Sequence, residues 1–125
     1  MKSILLVLSG LMIIISCAKK LPPEKDLFNQ AQQHEISQNY LKALESYQFI
    51  MDNYKNSADR YKAVFMKGYI QMEYLKDNKK AVEAFDQLLS EYPESDLADD
   101  ARALREAAAS GKDLMSIINE NDTIK

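Results

Sequence analysis

Sliding the segment that begins at Lys42 onto the one that begins at Lys80, a shift of 38 residues, superimposes Lys42, Ala43, Glu45, Tyr54, Ser57 and Ala63 on Lys80, Ala81, Glu83, Tyr92, Ser95 and Ala101. Apolar character matches as well: Leu44 falls on Val82, Tyr47 on Phe85, Ile50 on Leu88, Met51 on Leu89, and Met66 on Leu104. A repeat of this size is one supersecondary unit used at least twice. Such a unit buries its apolar face only against a neighbouring copy, so the chain must fold by stacking.

Each unit reads as two helices. Tyr40, Ala43, Leu44, Tyr47, Ile50, Met51 and Tyr54 are spaced by three and four, which is one stripe of a helix, and Ala81, Val82, Phe85, Leu88, Leu89 and Tyr92 repeat the pattern. Strict alternation is absent, so strands are not expected. Upstream lie Leu27, Phe28 and Ala31 in one case, and Tyr61, Val64, Phe65, Gly68, Tyr69, Met72 and Leu75 in the other. Pro93 ends the second outer helix. Ser57 and Ser95 stand where an N-cap would open the next helix. A third, degraded unit starts at Ser95 with Leu97, Ala98, Ala101, Leu104, Ala107 and Ala108. Gly111 is placed to stop it, and Leu114, Met115, Ile117 and Ile118 form a short last helix. The expected helices cover 25–37, 40–54, 58–76, 79–92, 96–110 and 113–119. The segment from Leu97 to Ile118 is expected to close the stack, with Leu114, Ile117 and Ile118 either folded back or exposed.

The run Lys80-Ala81-Val82-Glu83-Ala84-Phe85, then Leu88-Leu89, then Tyr92-Pro93-Glu94-Ser95, resembles the second helix and closing turn of the tetratricopeptide repeat. Ala81 matches the family's small residue at the closest helix approach, Phe85 its aromatic knob, Pro93 its turn proline and Gly68 the small residue of its first helix. The earlier unit departs from the pattern, with Tyr47 for Phe and Lys55 where Pro is usual. The interval from Gly68 to Ala81 is one residue longer than usual, and the turn around Lys76-Asp77-Asn78 is expected to absorb it. The resemblance covers about residues 26–110. It implies an all-α fold: a short right-handed superhelix of antiparallel helix pairs, about two and a half units. The spacing of Tyr92-Pro93-Glu94-Ser95 and Ala98/Ala101 is similar to an envelope subgroup that includes BamD-like outer-membrane assembly lipoproteins and a periplasmic division coordinator. The chain is much shorter than those assembly lipoproteins.

The N-terminus carries a second signal. Lys2 precedes an apolar run from Ile4 to Ile15, broken only by Ser9 and Gly10. About 20 apolar residues are needed to span a bilayer, so this run reads as an export signal rather than a membrane helix. Ile14-Ile15-Ser16-Cys17 resembles the lipobox of bacterial lipoproteins, which implies cleavage before Cys17 and a diacylglyceryl thioether on its sulfur. An uncleaved anchor, or cleavage without lipid, are the alternatives. Two or three acyl chains make a stable tether. The absence of Asp at Ala18 favours the outer membrane, with the domain facing the periplasm. The expected organisation is a signal peptide at 1–16, a lipidated N-terminus and Pro22-Pro23 linker at 17–24, a helical domain at 25–118 and a tail at 119–125.

Composition narrows the function. The net charge is −3 and acidic and basic residues alternate, so the clustered Lys and Arg of a nucleic-acid surface are missing. One Cys permits no intrachain disulfide, and one Cys with one His cannot supply a zinc site. No phosphate loop or nucleophile motif is present. No cofactor, metal or catalysis is expected. His34 and the Asp96/Asp99/Asp100 group read as solvated or helix-capping residues. The expected function is a membrane-tethered protein–protein interaction module of the cell envelope, assisting outer-membrane protein assembly or envelope organisation. A small-ligand binder or accessory subunit of an envelope enzyme is the alternative. Phe49, Met66, Tyr69 and Tyr74 are the candidate partner-binding residues, since aromatic side chains dominate interface hot spots.

Overall fold

The computed structural model describes residues 20–112 together with 115, 116, 118 and 119. The signal peptide, Cys17, Leu114, Ile117 and the tail from 120 lie outside the described residues. Five helices follow one another: α1 Glu24–Ile36, α2 Tyr40–Asn53, α3 Arg60–Glu73, α4 Asn78–Glu91 and α5 Ala98–Ala109. The described residues contain no strand. Met115, Ser116, Ile118 and Asn119 are also helical, where the last short helix was expected. Each helix packs on the next, and α3 also touches α5. The repeat is written into the register: α2 and α4 start at 40 and 78, and α3 and α5 at 60 and 98.

The core is the apolar stripe of each helix. Tyr47, Phe85, Ile50, Ile70, Met72, Leu88 and Val64 are its largest fully buried side chains. Ala31, Ala43, Ala63, Ala81 and Ala101 have no exposed surface, which lets neighbouring helices approach closely. Gly68 carries this furthest. A Cβ built there would stand 2.8–3.0 Å from the ring atoms of Phe85, so the missing side chain is the hole into which the Phe85 knob fits. Phe65 closes the contact edge-on, its ring centroid 5.8 Å from that of Phe85.

Two helix starts lie later than expected. Ser57 Oγ accepts the N–H of Asp59 at 3.1 Å, and the Ser57 carbonyl accepts the N–H of Arg60. The serine thus caps a tight turn, and α3 begins only after it. Ser95 opens the equivalent turn through its carbonyl, which accepts the N–H of Ala98 at 3.0 Å. Its own hydroxyl is buried and bonds to none of the described residues. Leu97, not Ser95, is the N-cap of α5. Asp77 does cap α4, accepting the N–H of Lys80 at 3.1 Å.

The turns inside the helix pairs close through left-handed residues. Gln38 has φ 57°, and Asn39 and Gln38 donate back to the carbonyls of His34 and Glu35. Gly111, φ 74°, ends α5 in the same way, with bonds from Lys112 to Ala107 and from Gly111 to Ala108. Between α3 and α4 the loop is one residue longer, and the left-handed residue is Lys76, φ 54°. Asp77 there reaches back to the carbonyl of Gln71 at 2.8 Å. The extra residue between Gly68 and Ala81 is therefore absorbed at this turn. A side chain in the left-handed region costs roughly 1–2 kcal/mol, part of which glycine's larger unfolded-state entropy offsets. Lys76→Gly is accordingly expected to stabilise the fold by about 0.5–1 kcal/mol, and Gly111→Ala to destabilise it, both read as shifts of the urea midpoint.

Arg60 ties the units together. Its Nε donates to the carbonyl of Met51 at 2.8 Å, and its Nη1 donates to the Tyr92 hydroxyl at 2.9 Å and to the Glu91 carboxylate. One side chain thus joins the ends of α2 and α4 to the start of α3. Partial burial pushes the Glu91 carboxyl up, but the bonds from Gln87 and Arg60 and the guanidinium charge outweigh it and hold its pKa below the ordinary value. A carboxyl with a lowered folded pKa adds stability above its unfolded value, near 4.5, and loses it as pH falls through the folded value. Glu91→Gln should therefore be less stable than the parent at neutral pH. The gap should close below about pH 4.5 in acid titrations followed by circular dichroism.

The two ends of the stack are polar. On α1, Lys25, Asp26, Asn29, Gln30 and Gln33 face solvent, and on α5, Asp99, Asp100, Arg102, Arg105 and Glu106 do. Terminal repeats with polar outer faces are what stop a solenoid from growing. Helix α5, the start of the Leu97–Ile118 segment expected to close the stack, is thus polar on its outer side. Of the residues beyond it, Met115 and Ile118 are exposed.

Candidate functional site

Helices α1 and α3 present parallel stripes to a shared groove. On α1 the stripe runs through Phe28, Gln32 and Glu35, and on α3 through Lys62, Phe65 and Met66, spacings that keep side chains on one helical face. The turn leading into α5 adds Asp96 and Leu97 at one end, and the Tyr47 ring lies beneath. The groove holds about 440 Å³. A second hollow of about 380 Å³ shares Phe28, Gln32 and Lys62 with it and continues past Glu24, Lys25 and Asp59. The floor is apolar and the rim is charged.

The floor is held rigidly. Phe28 meets Tyr47 edge-on at 6.1 Å, and Phe65 rests on Phe85. The Tyr47 hydroxyl donates to Glu35 Oε1 at 2.5 Å. Burial first, then this bond and the Glu35 charge, raise the phenol pKa far above its ordinary value, so the hydroxyl keeps its proton. That bond explains why the first unit carries Tyr where the second carries Phe85: the hydroxyl fixes a rim carboxylate from below. On the other side, the neighbouring Asp96 carboxylate raises the Tyr61 phenol pKa. Lys62 pairs with Asp59 at 2.6 Å.

The structure separates the four candidate binding residues. Met66 lies in the groove. Tyr74, also expected to bind a partner, stands at the far end of α3, where its ring stacks on Tyr40 at 4.1 Å and 6°. It is 44% exposed, with one face covered by that stack. Tyr69 packs edge-on against Tyr74 at 5.9 Å and is half-buried. Burial and the neighbouring Tyr74 and Glu73 raise its phenol pKa. Phe49, 38% exposed, belongs to another surface. It lines a hollow of about 590 Å³ with Leu41 and Leu44 of α2 and Lys67 and Gln71 of α3. At 100° per residue, Lys67 and Gln71 lie on the face of α3 opposite Lys62, Phe65 and Met66. The repeat puts Lys79 and Gln87 where α2 exposes Leu41 and Phe49, so this patch belongs to the first unit alone.

Phe28 and Phe65 emerge as groove residues, although their spacing had marked them only as helix-stripe members. His34, in the last turn of α1, is half-buried and lines a separate hollow with Phe49 and Ser46. Asp99 pairs with Arg102 within the first turns of α5.

The groove between these successive first helices is half-open, with an apolar floor and partly exposed walls. No curated protein and no solved structure matches the chain. Residues 62–95 match the family model described as the tetratricopeptide repeat, a fold that typically serves as a non-catalytic scaffold for protein or peptide partners. The matched segment runs from the first turn of α3 to just beyond α4.

Proposed function

We propose that this protein is a lipid-anchored interaction module of the bacterial cell envelope, tethered through Cys17 and working through the α1–α3 groove. One observation supports the working surface above all: the matched repeat contributes Lys62, Phe65 and Met66 to a groove whose other wall, Phe28 and Gln32, comes from α1, the first helix of the preceding unit. A partner laid there would contact both units at once. The tether rests on Lys2, the short apolar run and Ile14-Ile15-Ser16-Cys17. Its approach to the domain is braced, because the Tyr54 hydroxyl donates to the carbonyl of Pro22 and pins the linker beside the end of α2. Among the described residues no helix is long and apolar enough to cross a membrane. An outer-membrane location facing the periplasm rests on Ala18, where no Asp follows Cys17, and a part in outer-membrane protein assembly or envelope organisation rests on the resemblance of Tyr92-Pro93-Glu94-Ser95 and Ala98/Ala101 to the envelope subgroup.

Mass spectrometry of the mature chain tests the tether. The expected N-terminus is an acylated Cys17, and Cys17→Ser should accumulate as the unprocessed precursor. An unmodified mature chain beginning at another residue contradicts the lipid anchor. Crosslinking in intact membranes tests the module: the parent should give a discrete adduct that Met66→Asn weakens while melting like the parent.

A further inference from the structure

We infer that the segment held in the groove is basic, with an apolar side chain flanked by Lys or Arg. This rests on the groove being the partner-binding surface and names the chemistry of what it binds. Along the joined hollows the walls carry four carboxylates, Glu24, Glu35, Asp59 and Asp96, against two ammonium groups, Lys25 and Lys62. Lys62 and Asp59 pair with each other at 2.6 Å, which leaves Glu24, Glu35 and Asp96 against Lys25.

One of the carboxylates is also held in place, since Tyr47 donates to Glu35 at 2.5 Å from the floor. Glu35 and the exposed Asp96 at the α5 end stand at the edges of an apolar floor formed by Phe28, Phe65 and Met66. The floor takes the apolar anchor. The rim then selects sign, because like charges brought together across an interface are strongly disfavoured. An acidic segment would meet Glu35 and Asp96 with only Lys25 and the engaged Lys62 to offset them.

The test uses random dodecapeptides displayed on phage and panned against the immobilised mature chain. The expected pool carries a large apolar residue flanked by Lys or Arg and is depleted in Asp and Glu. Synthetic members of it should bind about tenfold more weakly to Glu35→Gln/Asp96→Asn, with a flatter salt dependence. The glutamine keeps an acceptor for Tyr47, and an unchanged melting curve checks the fold. Met66→Asn should weaken the same peptides. A Met66-dependent pool that is acidic or charge-neutral, or a basic pool indifferent to the double substitution, overturns the inference but leaves the groove as the binding surface. The absence of any Met66-dependent pool overturns both.

Discussion

Phe85→Ala is expected to cost about 3–5 kcal/mol, because it deletes a fully buried aromatic ring and leaves a cavity that rigid helices cannot collapse. Alanine is the better helix former, so the loss would come from packing and not from α4 as a helix. The ring sits between Phe65 and the bare backbone of Gly68, at the contact that joins α3 to α4. Stability of a domain this size is about 5–15 kcal/mol, so the variant would lose a large share of it. Equilibrium urea denaturation should show the midpoint falling steeply. A variant that melts like its parent would mean that Phe85 is not part of the core.

Gly68→Ala attacks the same contact from the other side. The added methyl would meet the Phe85 ring at 2.8–3.0 Å, and the ring has no free side toward which to move. Overpacking of this kind costs about 1–3 kcal/mol. The gain in helix propensity from Gly to Ala returns about 0.8–1.0 kcal/mol. A net loss of up to about 2 kcal/mol is expected. The cause can be isolated with Phe85→Leu, which removes the edge of the ring nearest Gly68. In that background Gly68→Ala should be close to neutral, a coupling of about 0.5–3 kcal/mol between the two sites. Additive losses would show that the glycine serves some purpose other than making room for the ring.

The helices were legible because they are periodic. The stripes of α2 and α4, the shift of 38 and the stop at Gly111 all repeat or punctuate the chain, and all appear in the structure. Ser57 and Ser95 misled for a local reason. A serine before a helical stripe signals a cap, but here the stripe resumes only after a tight turn, and the turn takes the hydrogen bonds first. Arg60 gave no signal, since a side chain that joins Met51, Glu91 and Tyr92 acts across the stack and leaves no pattern along it.

The groove was legible only in part. Met66 stood out as apolar and off the main stripe, and the groove uses it. Phe28 and Phe65 lie on the stripes and read as interior, and how much of each stays exposed depends on how far adjacent pairs splay. Tyr74 looked like a free anchor because its partner Tyr40 is far off in sequence, at the other end of a helix pair. Phe49 was visible as an off-stripe aromatic, but only the packing shows that it faces away from Met66.

Those two residues allow the most direct test of the account. A photoreactive amino acid placed at Met66 and, separately, at Phe49 in the full-length chain, followed by illumination of growing cells, asks which face meets a partner. The groove reading predicts a discrete adduct from position 66 and none from position 49. An adduct from position 49 with none from position 66 would contradict it and assign the interaction to the outer face of α2.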